Sequence, residues 1–324
     1  MQYTKQLGYH DMVQGNEYYF PFQLKNGDRL AAKSHATLFD LLDEPPAQDA
    51  PVANLSKETR KYLSILKIDQ PDADFETASL IWFHALAIGY TPSYLAENSD
   101  GIRQDWPRIP LPDSIELLTA SANLGRAVAD LLDPTAEVRG LNAGKTRPEL
   151  KTIAVVARIG GGSLDESKDL AVTSGWGHVD TRGATMPGQG MIVERDYSPE
   201  EFEAIRTGAE LLELNREQAL DCLGQTTRDM YLNDRIYWQS IPACVWDHTI
   251  GGYQVLKKWL SYRELDILGR PLTVEEVREF TAIAQRIAGV LLLGPRLDSN
   301  LRDVVDHLYP WNADADESER RLVL

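Results

Sequence analysis

Cysteine is scarce in this chain. Cys222 and Cys244 are its only two in 324 residues, and no Cys-x-x-Cys pair occurs. A disulfide framework and a cysteine-built zinc site are therefore excluded. No apolar run approaches the ~18 residues of a membrane-crossing helix, so no membrane partner is expected. The first residues, "MQYTKQLGYHDM", lack the basic-then-apolar pattern of a secretory signal. No internal repeat is visible. Basic residues are also in deficit, 33 against 49 acids, for a formal net charge of −16. Taken alone, that balance argues against a nucleic-acid partner. With 43% hydrophobic and 25% charged residues, the composition is that of a soluble globular protein, expected in the cytoplasm.

The acidity is uneven. Residues 40–138 carry 7 basic and 17 acidic side chains, whereas 139–270 carry 16 and 19. Within the second block, 139–158 hold Arg139, Lys145, Arg147, Lys151 and Arg158 against one acid, Glu149. From Gly251 to Arg263 there are three basic residues and no acid. Local patches of this kind can meet a polyanion while the rest of the surface repels it.

Periodicity and turn residues give an α+β reading. It has a mostly helical N-terminal part (1–138), a β-rich middle (139–245), C-terminal helices packing back (246–311) and a frayed tail (312–324). "NEYYFPFQLKNGDRL" reads as two strands turning at Asn26-Gly27, and the proline-rich 43–56 as a loop. Asp74 is placed to cap a buried helix over 74–90, and Asp113 or Ser114 to cap an amphipathic one over 113–133. "TPSYLAEN" opens a short helix, and "WPRIPLP" is held extended by its prolines. A strand is expected at 151–158, then at least two short strands within the glycine-rich 160–195. Ser198 caps the next helix, "TRDMYLNDRIYWQSIP" is strand-like, and Thr273 with Glu276 forms a capping box for 273–293.

Several motifs invite a chemical reading and fail on spacing. "GLNAGKT" (140–146) has its first glycine one residue too close for a phosphate-binding loop and follows a helix, so it reads as a basic loop. "IGGGS" between strands reads as a hairpin. Asp133 with Glu149-x-Lys151 has the skeleton of a metal-dependent nuclease site, although Asp133 sits at a helix end. The six histidines show no His-x-x-x-His pairing, and His84 within its apolar helix reads as a hydrogen-bonded core residue. The single Pro-Pro, in "DEPPA", is followed by no aromatic, so the Asn/Asp-Pro-Pro-aromatic motif of base-amino methyltransferases is missing. No catalytic residue and no metal ligand is assigned.

The stretch "WDHTIGGYQVLKKWLSYREL" (246–265) reads as a basic helix entered through a Gly251-Gly252 turn, with Tyr253, Leu256 and Leu260 at helical spacing and Trp259 packed inward. Together with "LGRPLTVEEVREFTAIAQRIAGVLLL" it resembles the C-terminal specificity domain of type ISP restriction–modification enzymes and related adenine-specific DNA methyltransferases. Upstream, "YYFPFQL", "IWFHALAIGYTPSYLAEN", "WPRIPLP", "LLTASANLGRAVADLL", "GWGH", "MPGQG" and "YLNDRIYW" follow in that family's order, so the likeness spans roughly residues 17–300. The family's helicase, nuclease and methyltransferase parts have no counterpart in this sequence.

The resemblance implies a module that reads a double-stranded DNA target without catalysis of its own. A DNA methyltransferase and helicase or nuclease parts would be its partners, and S-adenosylmethionine would bind on that partner. On this reading Lys257, Lys258, Arg263, Gly251, Gly252 and Tyr253 meet phosphates, by the logic of helix N-termini and cations. Lys145, Arg147, Arg158, Arg182 and Gln189, in the loops between strands, are the candidates for reading bases, since Arg and Gln suit guanine and adenine edges. Two other classes stay open: an acidic protein-interaction subunit of a phage-defence complex, and a nuclease built on Asp133, Glu149 and Lys151.

Overall fold

The structure, a computed structural model, describes residues 21–24, 51–165 and 169–310. The predicted turn at Asn26-Gly27, its second strand and the tail 312–324 lie outside these residues. Helices and small antiparallel sheets make up the protein, the α+β class expected. It divides into two compact units, one from residues up to 129 together with those from 296 on, the other from 130–295.

In the first unit, β1 (Gln23–Leu24) pairs antiparallel with β2 (Val52–Ala53), inside the segment expected to be a loop. The pairing depends on distant residues. Ala53 donates its N–H to Asp72 Oδ1 at 2.6 Å, and Arg60 bridges Asp72 and the Ala53 carbonyl. Helices α1 (Lys57–Ile65), α2 (Phe75–Gly89), α3 (Pro92–Gln104) and α4 (Ile115–Leu132) follow. The α2 cap is Asp74, accepting from Thr77 N–H at 2.7 Å, and α3 extends well beyond the short helix expected. Tyr62, Leu63, Leu66 and Leu118 form one buried cluster, each large side chain stabilising by roughly 1.5–3 kcal/mol. The last helix, Gly294–Asp306, returns to this unit: Leu301 packs with Ile88 and Tyr94, and Asp298 accepts from the Ser93 N–H and hydroxyl.

His84 is fully buried here, as a core residue. Its Nε2 lies 2.7 Å from the Pro110 carbonyl, which only accepts, so Nε2 carries the proton. Nδ1 then accepts from the Ser121 hydroxyl at 2.8 Å, and Ser121 Oγ accepts from Asn300 Nδ2 at 3.0 Å. The chain joins α2, α4, the extended proline segment and the last helix. Burial lowers the His84 pKa to about 4.

The second unit starts with α5 (Pro148–Thr152), so the strand expected from 151 begins only at β3 (Val155–Arg158). Pro148 fits the first helical turn, and Ala154, at φ +54°, turns the corner into the strand. After β3 come β4 (Gly177–Val179), β5 (Thr185–Pro187), β6 (Met191–Arg195), α6 (Pro199–Leu211), α7 (Arg216–Leu223), β7 (Thr227–Tyr231) and β8 (Ile236–Pro242). Strands 3, 8, 7 and 6, in that order, form an antiparallel sheet. Asn233 shapes the β7–β8 turn by accepting from Arg235 and Ile236 N–H and donating to the Asp169 and Ala171 carbonyls.

Then follow α8 (Ala243–Asp247), β9 (Thr249–Ile250), β10 (Tyr253–Gln254), α9 (Val255–Ser261), α10 (Leu265–Leu268) and α11 (Val274–Leu292). The capping boxes at Ser198/Glu201 and Thr273/Glu276 are both formed. The core of this unit is aromatic: Trp238 stacks on Phe280 at 4.0 Å, and Trp259 lies 5.2 Å from the same ring. Arg286 of α11, buried, donates to the carbonyls of Asp130 and Ala136 at 2.8 and 2.7 Å, serving the open C-terminal end of α4.

Candidate nucleic-acid interface

The stretch expected to be one basic helix is a hairpin followed by a short helix. Ile250 pairs with Tyr253 and Thr249 with Gln254, and Gly251-Gly252 is the two-residue turn between them, at φ +59° and +83°. Two positive φ values give the primed turn that two-residue hairpins prefer, and glycine adopts it without strain. The glycines therefore reverse the chain and do not open the helix. Tyr253, assigned by spacing to the inward face, precedes α9 and is 46% exposed. Leu256, Trp259 and Leu260 do point inward and are buried. Lys258 Nζ lies 3.7 Å from the centre of the Tyr253 ring, a cation–π contact that ties hairpin to helix.

The basic residues of this region differ in what already holds them. Among the described residues no ion pair engages Lys257 or Lys258. Arg263 lies over the Trp259 ring at 3.7 Å, donates to the Trp259 carbonyl at 3.2 Å, and faces Glu276 and Glu279 at 3.8 and 3.5 Å. Its guanidinium serves α11 first.

The second hairpin, β4–β5, pairs Gly177 with Pro187, His178 with Met186 and Val179 with Thr185. Its root packs on α9 and α10. A Cβ on Gly177 would lie 2.0 Å from the Ser261 carbonyl oxygen, and one on Gly190 would lie 2.2 Å from the Trp176 ring, so both positions need glycine. Trp176 is fully buried and donates its ring N–H to the Tyr231 carbonyl at 2.7 Å. Buried Glu264 accepts the N–H groups of Gly175 and Trp176 at 3.1 and 2.7 Å. At the tip, Asp180 Oδ1 accepts from Arg182 N–H at 2.8 Å and Ala184 N–H at 2.9 Å. These two bonds hold the Asp180 carboxyl below its usual range. Arg182 itself is 86% exposed.

The remaining candidates lie elsewhere in this unit. Lys145 is exposed on the loop closed by the Gly140–Ala143 and Arg147–Gly140 backbone bonds. Arg147 precedes the first turn of α5 and donates to Glu149 at 2.6 Å. Arg158 ends β3 and is bound to the buried carboxylate of Asp169. Gln189 is exposed in the turn between β5 and β6. The structure thus brings Arg182 and the Lys257–Lys258 helix onto packed neighbours, and leaves Lys145, Arg147 and Arg158 on other elements. Of the nuclease skeleton, Asp133 accepts from the Thr135 N–H and hydroxyl, and Glu149 is held by Arg147. Among the described residues no three His, Cys, Asp or Glu side chains are grouped to hold a metal ion, and no helix is long and apolar enough to cross a membrane.

Asp180 and Glu264 were missed by the sequence reading. "DTRGAT" does carry an Asp-x-x-Gly turn signal, but the bond from Asp180 to Arg182 exists only once the hairpin is closed.

No curated protein and no solved structure matches the chain. A family model, the type ISP C-terminal specificity domain, matches residues 4–282 of the 324. The chain belongs to that family.

Proposed function

We propose that this chain recognises a target sequence in double-stranded DNA on behalf of a restriction–modification enzyme of the cytoplasm. Methyl transfer and cleavage fall to other parts of that enzyme, where S-adenosylmethionine binds. The observation that supports this reading, beside the family, is the arrangement of charge in the second unit. Helices α6 and α7 carry six acids against two arginines, whereas residues 248–263 carry Lys257, Lys258 and Arg263 and no acid. Affinity for DNA comes chiefly from phosphate neutralisation, and it is a local surface that meets the duplex. The Gly251-Gly252 turn lets the backbone approach a phosphate without an intervening side chain, and Lys258, held over the Tyr253 ring, stands beside that hairpin.

The test is a fluorescence titration of the full chain against mixed-sequence duplex DNA at several salt concentrations. Binding at low salt that falls linearly on a log–log plot is expected. No binding at any salt would instead favour an acidic protein-interaction subunit.

A further inference from the structure

Resting on that reading, we propose that the β4–β5 hairpin is the element that enters the DNA major groove, and that Arg182, positioned by Asp180, reads a guanine there.

The shape comes first. Paired strands lie ~4.8 Å apart, so a single hairpin is a narrow ribbon. The major groove, about 12 Å wide, admits a two-stranded ribbon and displays a distinct donor and acceptor pattern for each base pair. The outer half of this ribbon is open: His178, Val179 and Met186 are exposed, Val179 at 55% and Met186 at 42%. Its root is fixed by the close approaches at Gly177 and Gly190 and by Glu264. A rigid base with a projecting tip is what a reading element requires.

The chemistry at the tip narrows the target. Asp180 Oδ1 closes the turn, and Asp180 Oδ2 lies 3.4 Å from both Nε and Nη2 of Arg182. One edge of the guanidinium thereby faces a fixed carboxylate. Nη1 and the second N–H of Nη2 are left as a forked pair of donors, the arrangement that matches O6 and N7 of guanine. Asp180 thus acts as a positioning residue that limits the rotamers of Arg182, and Arg182 is the contact. Val179 and Met186, apolar and beside the tip, suit the methyl group of a neighbouring thymine.

Charge on the elements around the ribbon fits the same partner. The ribbon packs on α9, which has no acid, and α10, which has Asp266, while Asp180 is held by its own tip and Glu264 by backbone N–H groups. Lys257 and Lys258 stand on the helix under the ribbon, placed for the flanking phosphates.

The experiment is selection from a random-sequence duplex pool by the full chain, with sequencing of the retained DNA, for the wild type and the Arg182→Ala, Arg182→Lys and Asp180→Asn variants. The wild type should enrich a motif containing a guanine. Arg182→Ala should lose preference at that one position, by roughly 5- to 150-fold, and keep the rest of the motif. Arg182→Lys keeps the charge but not the fork, so it should recover affinity without the preference. In Asp180→Asn the amide oxygen still accepts the two backbone N–H groups while the charge facing Arg182 is gone. Relaxation at the same guanine, and little further effect once Arg182 is already alanine, is expected of a positioning role and not of a purely structural one. An unchanged motif in Arg182→Ala overturns the ribbon as reader and leaves DNA recognition standing, as does retention of duplex by the wild type without any motif. A wild type that retains no duplex at all overturns the DNA reading itself.

Discussion

At the β4–β5 hairpin five residues, 180–184, close the tip, and a carboxylate holds them in place. At the β9–β10 hairpin two glycines close the tip with no side chain at all. The first presents a long side chain from a braced turn, which suits discrimination among base edges. The second presents bare backbone beside two lysines, which suits phosphates that are the same at every step. Both lead to α9: the ribbon packs on it, and β10 runs directly into it. On the proposed reading, one short helix therefore supports two DNA contacts of different kinds. Damage to the helix should abolish both, and damage to either tip should abolish one.

The largest effect is expected at that shared support. Trp259 is 9% exposed and packs against Trp238 and Phe280. Trp259→Ala should cost about 3–5 kcal/mol, measured by urea unfolding, and should weaken reading and phosphate contact together. A folded variant that lost only one of the two would break the idea of a common support.

A second effect should leave both hairpins alone. His84 in the first unit has a folded pKa of about 4, below the 6.5 of an ordinary histidine. The unfolded chain therefore binds more protons between these values, so stability rises with pH through the window and is lost as pH falls from about 6.5 to about 4. The loss should reach ~3 kcal/mol at the lower end. Unfolding curves at pH 7 and 4.5 for the wild type and His84→Gln should show the difference shrink in the variant. An equal pH dependence in both would assign the effect to other groups.

Smaller still is the cost of filling the bare tip. A Cβ at Gly252 would meet nothing, yet φ is +83°, so Gly252→Ala should cost about 1–2 kcal/mol from backbone strain alone. Its effect on DNA affinity should be the same for every sequence, whereas the ribbon variants act on one position of the motif. A motif altered by Gly252→Ala would erase the proposed division of labour.

The helix ends were legible because caps are local. Asp74, Ser198 and Thr273 each bond to a backbone N–H within their own first turn, and their neighbours in sequence announce it. The strands β9 and β10 were not legible. At two residues each they show no alternation, and the helical spacing of Leu256 and Leu260 drew Tyr253 into a helix that starts two residues later. The β1–β2 pairing depends on Asp72 and Arg60, which no local pattern announces. At the site, residue type was enough to nominate Arg182 and the two lysines. It could not tell them from Arg147, Arg158 and Arg263, because an arginine tied into the fold by Glu149, Asp169 or Glu276 and Glu279 has the same letter as one exposed at a hairpin tip.

That distinction among cations gives the finest test. Lys257 and Lys258 lack an ion-pair partner among the described residues, so each that meets a phosphate should release counterions and contribute about 0.9 to the slope of log affinity against log salt. The Lys257/Lys258 double alanine should therefore bind all duplexes more weakly and with a slope shallower by up to about two, while the lost Lys258–Tyr253 contact costs no more than about 1 kcal/mol of stability. Arg263→Ala should do the reverse. It removes a cation stacked on Trp259 between two glutamates, so the unfolding midpoint should fall while the salt slope stays near the wild type. Measured side by side at five salt concentrations, the two variants separate a cation that serves the DNA from one that serves the fold. An unchanged slope in the folded double alanine would reduce the helix to surface and leave the β4–β5 ribbon as the contact still to be tested.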